Sequence, residues 1–206
     1  MKLDTEAIVC GVLHHGEHGA IVRLMTPEDG LVAAYVRGGR GRRMRPLLIP
    51  GNVVSAQLRS RTDSQLPQAT IELVHSRAPI LSEPIAAAAI EWVTVLLAAA
   101  LAERQPFPRL YEGASGLFDA IEAAPSASGW GSALAGFELL VSAELGYGGP
   151  SGAGPAAQDR TQGWAKIIDS LDRSGNHLFR EALAGRYMSI ADSRARLIDR
   201  LRRLLA

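Results

Sequence analysis

The apolar positions change period once along the chain, near residue 76. Before that point they come in short runs closed by turn residues. Residues 5–15 hold Ile8, Val9, Val12 and Leu13, and His15-Gly16-Glu17-His18-Gly19 is a turn. Residues 20–26 form a second run, and Pro27-Glu28-Asp29-Gly30 places proline and glycine where a tight turn uses them. Residues 31–37 are a third run. Residues 53–61 alternate Val54, Ala56 and Leu58 against Ser55, Gln57 and Arg59, and residues 68–76 set Ile71, Leu73 and His75 against Glu72 and Val74. Five short strands divided by turns predict a small closed or nearly closed barrel. Five is the strand count of an OB-fold; an SH3-like barrel has similar spacing.

After residue 76 the period becomes helical. Ser82-Glu83-Pro84 is a helix start, with a serine cap and a proline in the first turn. An apolar helix over 85–102 follows, and Pro106 and Pro108 separate it from the next. There Leu110, Tyr111, Ala114, Leu117, Phe118 and Ile121 recur at helical spacing. Pro125-Ser126 breaks the pattern, and 130–145 is a third amphipathic helix with Leu134, Phe137, Leu140, Val141 and Leu145. Glu91, Glu138 and Glu144 are expected as solvent-face or interface charges on these helices. Residues 146–157 are glycine-rich and predict a flexible loop. Shorter helical patterns cover 161–171 and 178–183. Ser189-Ile190-Ala191-Asp192 resembles a capping box and opens a last helix, with Leu197, Leu201 and Leu204 on one face and Arg196, Arg200 and Arg203 on the next. The expected architecture is α+β and multidomain: a five-stranded OB-fold β-barrel over 1–78, then an all-α helical domain over 79–206 with a Gly/Pro-rich loop at 146–162.

Charge sharpens this picture. The net charge is +1 over 206 residues, but it is unevenly spread. Residues 1–77 carry ten basic and seven acidic side chains, 78–150 two and eight, and 151–206 ten and six. Two basic flanks around an acidic middle suggest separate surfaces for separate partners. Cys10 is the sole cysteine, which excludes an intrachain disulfide framework or cysteine-based metal site; on its strand it is expected to be buried and inert. The first residues are acidic where a signal peptide is basic then apolar, and 85–102 is interrupted by Glu91, so a cytoplasmic location without a membrane span is expected.

The strongest chemical signal is the loop Val36-Arg37-Gly38-Gly39-Arg40-Gly41-Arg42-Arg43-Met44-Arg45-Pro46. From Arg37 to Arg61 there is no acid, whereas Arg37, Arg40, Arg42, Arg43, Arg45, Arg59 and Arg61 are all present. Guanidinium groups at that density repel one another until an anion neutralises them. A nucleic-acid backbone on a small barrel suits them, recognised as charge rather than as sequence. Tyr35 joins these arginines as a candidate nucleic-acid-binding residue, but it is the single aromatic among the first 80 residues, so recognition is expected to lean on phosphates and not on base stacking. Arg196, Arg200 and Arg203 are a possible second basic surface. The alternative is a protein–protein adaptor whose basic loop docks an acidic partner. Loop arginine-to-alanine variants separate the two: a DNA-binding protein loses DNA, and an adaptor keeps DNA and loses a protein.

Signals for catalysis are weak. His14, His15 and His18 cluster at a strand end, but adjacent strand residues face opposite ways and no H-E-x-x-H motif is present, so a polar turn is expected and no metal. Gly152-Ala153-Gly154-Pro155-Ala156-Ala157 matches G-x-G-x-x-A formally but follows no strand. No P-loop, nucleophile elbow or carboxylate dyad is present, so neither a catalytic residue nor a cofactor is assigned.

Several segments in order resemble the RecO family of bacterial recombination mediators. They are Gly16-Glu17 before the second strand, Leu24-Met25-Thr26-Pro27-Glu28-Asp29-Gly30, Arg37-Gly38 with the arginines after it, Leu48-Ile49-Pro50-Gly51, Glu138-Leu139-Leu140, and Glu144-Leu145-Gly146-Tyr147. The resemblance covers about residues 5–148 and the last helix. It implies an OB-fold followed by a helical domain, binding of single- and double-stranded DNA, strand annealing, recombinase loading on coated DNA, and a place at the bacterial nucleoid. It implies as partners the ring-forming RecR protein and the C-terminal tail of single-stranded DNA-binding protein (SSB). That acidic tail is expected near Arg104, Arg109 or the last helix. Many family members carry a four-cysteine zinc segment after the third helix; here residues 148–162 are short, glycine-rich and cysteine-free, which argues against zinc.

Overall fold

The computed structural model describes residues 2–62, 65–124, 126–148, 163–183 and 188–204, without the side chains of 188 and 189. Five strands, β1 (Lys2–His15), β2 (Gly19–Thr26), β3 (Gly30–Val36), β4 (Val53–Arg59) and β5 (Gln68–His75), precede five helices. The helices are α1 (Pro84–Ala100), α2 (Pro108–Ala123), α3 (Gly131–Glu144), α4 (Trp164–His177) and α5 (Met188–Arg203). Contacts divide the chain into two compact units, Met1–Ser82 with Val93–Tyr111, and Glu83–Trp92 with Glu112–Ala206.

The strands close in the order β1-β2-β3-β5-β4. β1 is long enough to serve two neighbours: Lys2 to Ile8 pair with β4, and Ile8 to His15 pair with β2. A register shift between Val9 and Gly11 bends the strand between those duties, as a bulge does. β3 and β5 meet in parallel through Tyr35↔Gln68 and Val36↔Ala69, which closes the barrel. Closure in this order is the OB-fold and resolves the choice left open by strand count. Alternation along each strand turns Val9, Val22, Leu24, Ala34, Val54, Leu58 and Ile71 into one buried cluster. Within the same unit, Arg23 donates to Ala98 O at 2.5 Å and to Glu103 Oε1 at 3.3 Å, and Arg104 N donates to Leu31 O at 2.8 Å.

In the helical unit Trp92, Phe118, Leu134, Phe137, Leu171, Leu178, Leu197 and Leu201 are buried. The short pattern at 178–183 is not a separate α-helix: Leu178–Ala182 is a π-helical turn that continues α4, with Leu183 N bonding Leu178 O at 2.9 Å. Leu204, placed by periodicity with Leu197 and Leu201, lies beyond the end of α5 and is half exposed. The glycine-rich loop from 149 onward and the side chain of Ser189 in the expected capping box lie outside the described residues.

The expectation for Glu138 is corrected. It is fully buried, not on a solvent face. Its carboxylate accepts from Trp92 Nε1 at 2.8 Å, from Arg194 Nε at 2.7 Å and Nη2 at 2.9 Å, and from Ser174 Oγ. A buried carboxylate persists only with such a set of donors. Among the described residues no helix is long and apolar enough to cross a membrane.

Candidate nucleic-acid interface

The β3–β4 loop, residues 37–52, is a chain of turns and not a free coil. Gly41 N bonds Gly38 O at 2.8 Å, Met44 N and Arg45 N both bond Gly41 O at 3.1 Å, and Leu48 N bonds Met44 O at 3.1 Å. Gly38 takes φ +68, and a Cβ on Gly39 would lie 2.6 Å from Ala20 Cβ, so the two glycines are required by conformation and by close packing. Apolar side chains hold the loop down: Leu48 is buried in the barrel core, with Met44 and Leu47 packed against it. At the loop's end Asn52 is fully buried. Its amide donates to Pro46 O at 2.9 Å and to Leu47 O at 3.2 Å, and its Oδ1 accepts from Arg77 N at 2.9 Å.

On this frame Arg37, Arg40, Arg42, Arg43, Arg45, Arg59 and Arg61 are all exposed. Among the described residues none of the seven is within ion-pair distance of a carboxylate. Among the described residues Arg40 is the one of the seven whose guanidinium is held: its Nη1 donates to Glu17 O at 3.1 Å and Gly16 O at 3.3 Å, and its backbone N also bonds His18 O at 3.2 Å. The basic loop is thereby docked on the β1–β2 turn. Among the described residues the guanidiniums thus lack carboxylate partners, and the loop that carries five of them is held in place.

Register joins the loop to the sheet. Ile21, Tyr35, Gln68, Arg59 and Lys2 are successive partners across β2, β3, β5, β4 and β1. Directly paired residues share a face, and these side chains point outward. Lys2 opposite Arg59 places two like charges side by side, a further site for an anion that sequence reading did not single out. Next to this row lies an open cleft of about 800 Å³, lined by the β1–β2 turn, Tyr35, Arg37, Leu66 and Gln68. His15 stands edge-on to Tyr35, with ring centroids 5.9 Å apart and planes at 81°. An OB-fold presents ligands to the face of its second and third strands and to the loops after its first and fourth, which is where this cleft sits. Leu66 and Gln68 were missed because nothing local marks them; the OB-fold strand order is the signal that finds them. His15 and His18 line the cleft, and among the described residues no group of three or more His, Cys, Asp or Glu side chains is placed to hold a metal.

The α5 arginines differ from those of the loop. Arg196 pairs with Glu91 at 2.7 Å, Arg203 pairs with Asp199 at 2.5 Å, and Arg200 donates to Pro84 O at 2.7 Å. Each already holds a partner within its own unit. Cys10 is buried, and burial pushes its thiol up to about 12, against which a backbone hydrogen bond and Arg23 act only weakly.

Comparison with known proteins agrees with this architecture. The family described as "Recombination protein O N terminal" matches residues 1–77, and "Recombination protein O C terminal" matches residues 81–150. The chain is 30% identical to the DNA repair protein RecO of Gluconacetobacter diazotrophicus over 97% of this chain and 94% of that one. It is 31% identical to the RecO protein of Rhodospirillum centenum over 98% and 96%. With that of Rhodopseudomonas palustris identity reaches 41%, over 72% of this chain and 57% of that one. An OB-fold barrel followed by helices, matched by both domain families and by relatives along nearly their full length, places this chain in the RecO family of DNA repair proteins.

Proposed function

We propose that this protein is a recombination mediator that binds single- and double-stranded DNA through its β3–β4 loop, anneals complementary strands and assists recombinase loading on SSB-coated DNA. The observation that carries the reading is the set of exposed arginines on an anchored loop that have no carboxylate partner among the described residues. Annealing brings two polyanions together, and the cost of that approach is their mutual repulsion. Guanidiniums carried on a loop whose backbone is already anchored offset it. No bond is made or broken in such a process, so the site needs no nucleophile.

In this reading residues 1–78 are the DNA-binding part and 79–206 the helical part. The partners that go with family membership are RecR and the acidic C-terminal tail of SSB. Arg104 and Arg109 are exposed and are the helix-flanking cations to examine for the tail. The action is at the bacterial nucleoid. The test is annealing of complementary labelled oligonucleotides by the native protein and by a loop variant with Arg37, Arg42, Arg43 and Arg45 changed to alanine. The native protein accelerates annealing and the variant does not; equal rates contradict the proposal.

A further inference from the structure

The cleft beside the basic loop has features that phosphate binding does not use. Leu66 is 46% exposed in its lining, an apolar side chain left in water beside polar and charged neighbours that include Arg37 and Glu17. The hydroxyl end of the Tyr35 ring packs over Gly19, so closely that a Cβ there would come within 2.4 Å of Cε2. His15 closes on the tyrosine edge-on at 5.9 Å. Gln68, exposed and next to Tyr35 in the β3–β5 pairing, adds an amide that both donates and accepts. Arg37, exposed in the turn just after β3, lines the same cleft. A flat aromatic surface, an apolar wall, an amide and a guanidinium together match a nucleotide: the base to the first three and the phosphate to the last.

On this ground, and resting on the DNA-binding reading above, we infer that the cleft seats one unstacked base of a single strand. Tyr35 is its platform, Leu66 its wall, and Arg37 holds the adjoining phosphate. A base inside a duplex is already stacked on its neighbours and cannot enter. The cleft therefore gives the protein a means of telling single strands from duplex that the loop arginines, which see only charge, do not have. This departs from recognition by phosphates alone, which a single aromatic residue had suggested.

The experiment compares a fluorescent oligothymidylate with an abasic strand of the same length and charge, binding to the full chain at fixed salt. One stacked base makes the thymidine strand bind roughly ten-fold tighter. Tyr35→Leu, which still covers Gly19, brings the two strands to within about two- to three-fold, and so does Leu66→Ser, on an exposed loop where folding is not at stake. Quenching of a 2-aminopurine base on binding to the native protein gives an independent readout of stacking. Equal affinity of the native protein for both strands, or undiminished discrimination in both variants, overturns the base site and leaves the loop reading intact. Absence of binding to either strand overturns both.

Discussion

Arg194 offers Nε and Nη2 to the two oxygens of Glu138, at 2.7 and 2.9 Å, in a site where the glutamate side chain is 1% exposed and the arginine 11%. Trp92 and Ser174 add donors to the same carboxylate, and the same guanidinium also reaches Leu171 O. Four helices of the helical unit, α1, α3, α4 and α5, are thus joined at one ion pair. Removing one partner leaves the other charged and buried. Glu138→Ala is expected to destabilise the protein by about 3–5 kcal/mol, and Arg194→Met by a similar amount. Replacing both with apolar residues of similar volume should cost less than the two single changes summed. Urea denaturation of the four proteins in the cycle measures this.

Gly175 gives an independent check on the same site. A Cβ there would stand 2.1 Å from Arg194 Cζ. Alanine normally suits a helix better than glycine by about 1 kcal/mol, so the substitution taken alone should stabilise α4. Here Gly175→Ala is expected to destabilise, because it displaces the guanidinium from Glu138. The sign of the change in melting temperature decides between packing and propensity.

Asn52 holds the base of the basic loop. Its side chain serves two carbonyls of the loop and one backbone N–H of Arg77. Asn52→Ala leaves those buried groups unsatisfied and is expected to cost about 1–3 kcal/mol. Hydrogen exchange should quicken at Leu47 and Leu48 while the strands stay protected. Unchanged exchange there would mean that apolar packing and the Arg40 contacts anchor the loop without Asn52.

Cys10 supplies a pH prediction. Burial raises the thiol to about 12, so the native side chain stays neutral where an unfolded thiol ionises. The stability this neutral thiol contributes is complete below the unfolded value. It declines as pH rises from that value through the folded one. Native protein at about pH 8, near the free-thiol value, should react with a thiol reagent far more slowly than protein in urea. Equal rates would show that the strand opens readily.

The strands, the helices and the basic loop were legible because their signals are local. Alternation of Val54, Ala56 and Leu58 marks a strand, and a run of arginines without acids marks a charged surface wherever it folds. Glu138 was not legible: its partners Trp92 and Arg194 are 46 and 56 residues away, and a lone glutamate in a helix has the same pattern buried or exposed. The cleft was hidden for a related reason. Tyr35 meets Gln68 only through the parallel β3–β5 pairing, and no short-range pattern announces a parallel contact. Arg196, Arg200 and Arg203 looked equivalent to the loop arginines in sequence, yet their partners Glu91, Pro84 and Asp199 include two brought close only by folding.

That contrast between two sets of arginines is open to direct experiment. Changing Arg196, Arg200 and Arg203 together to alanine should reduce DNA affinity by no more than about two- to three-fold, since exposed charges that already hold partners have little left to offer a further anion. A loss as large as that of the loop variant would move the interface to α5. Electrophoretic mobility shift with a single-stranded oligonucleotide reports it.

The most direct test of the central claim is a salt series. Single-strand binding is followed by fluorescence anisotropy from about 50 to 200 mM salt, for the native chain and for the variant lacking Arg37, Arg42, Arg43 and Arg45. If about four phosphates are neutralised, log K against log salt for the native chain has a slope of roughly −3, and the variant's slope falls toward zero with its affinity. A native affinity indifferent to salt, or a variant with the native slope, would contradict the assignment of the β3–β4 loop as the DNA interface.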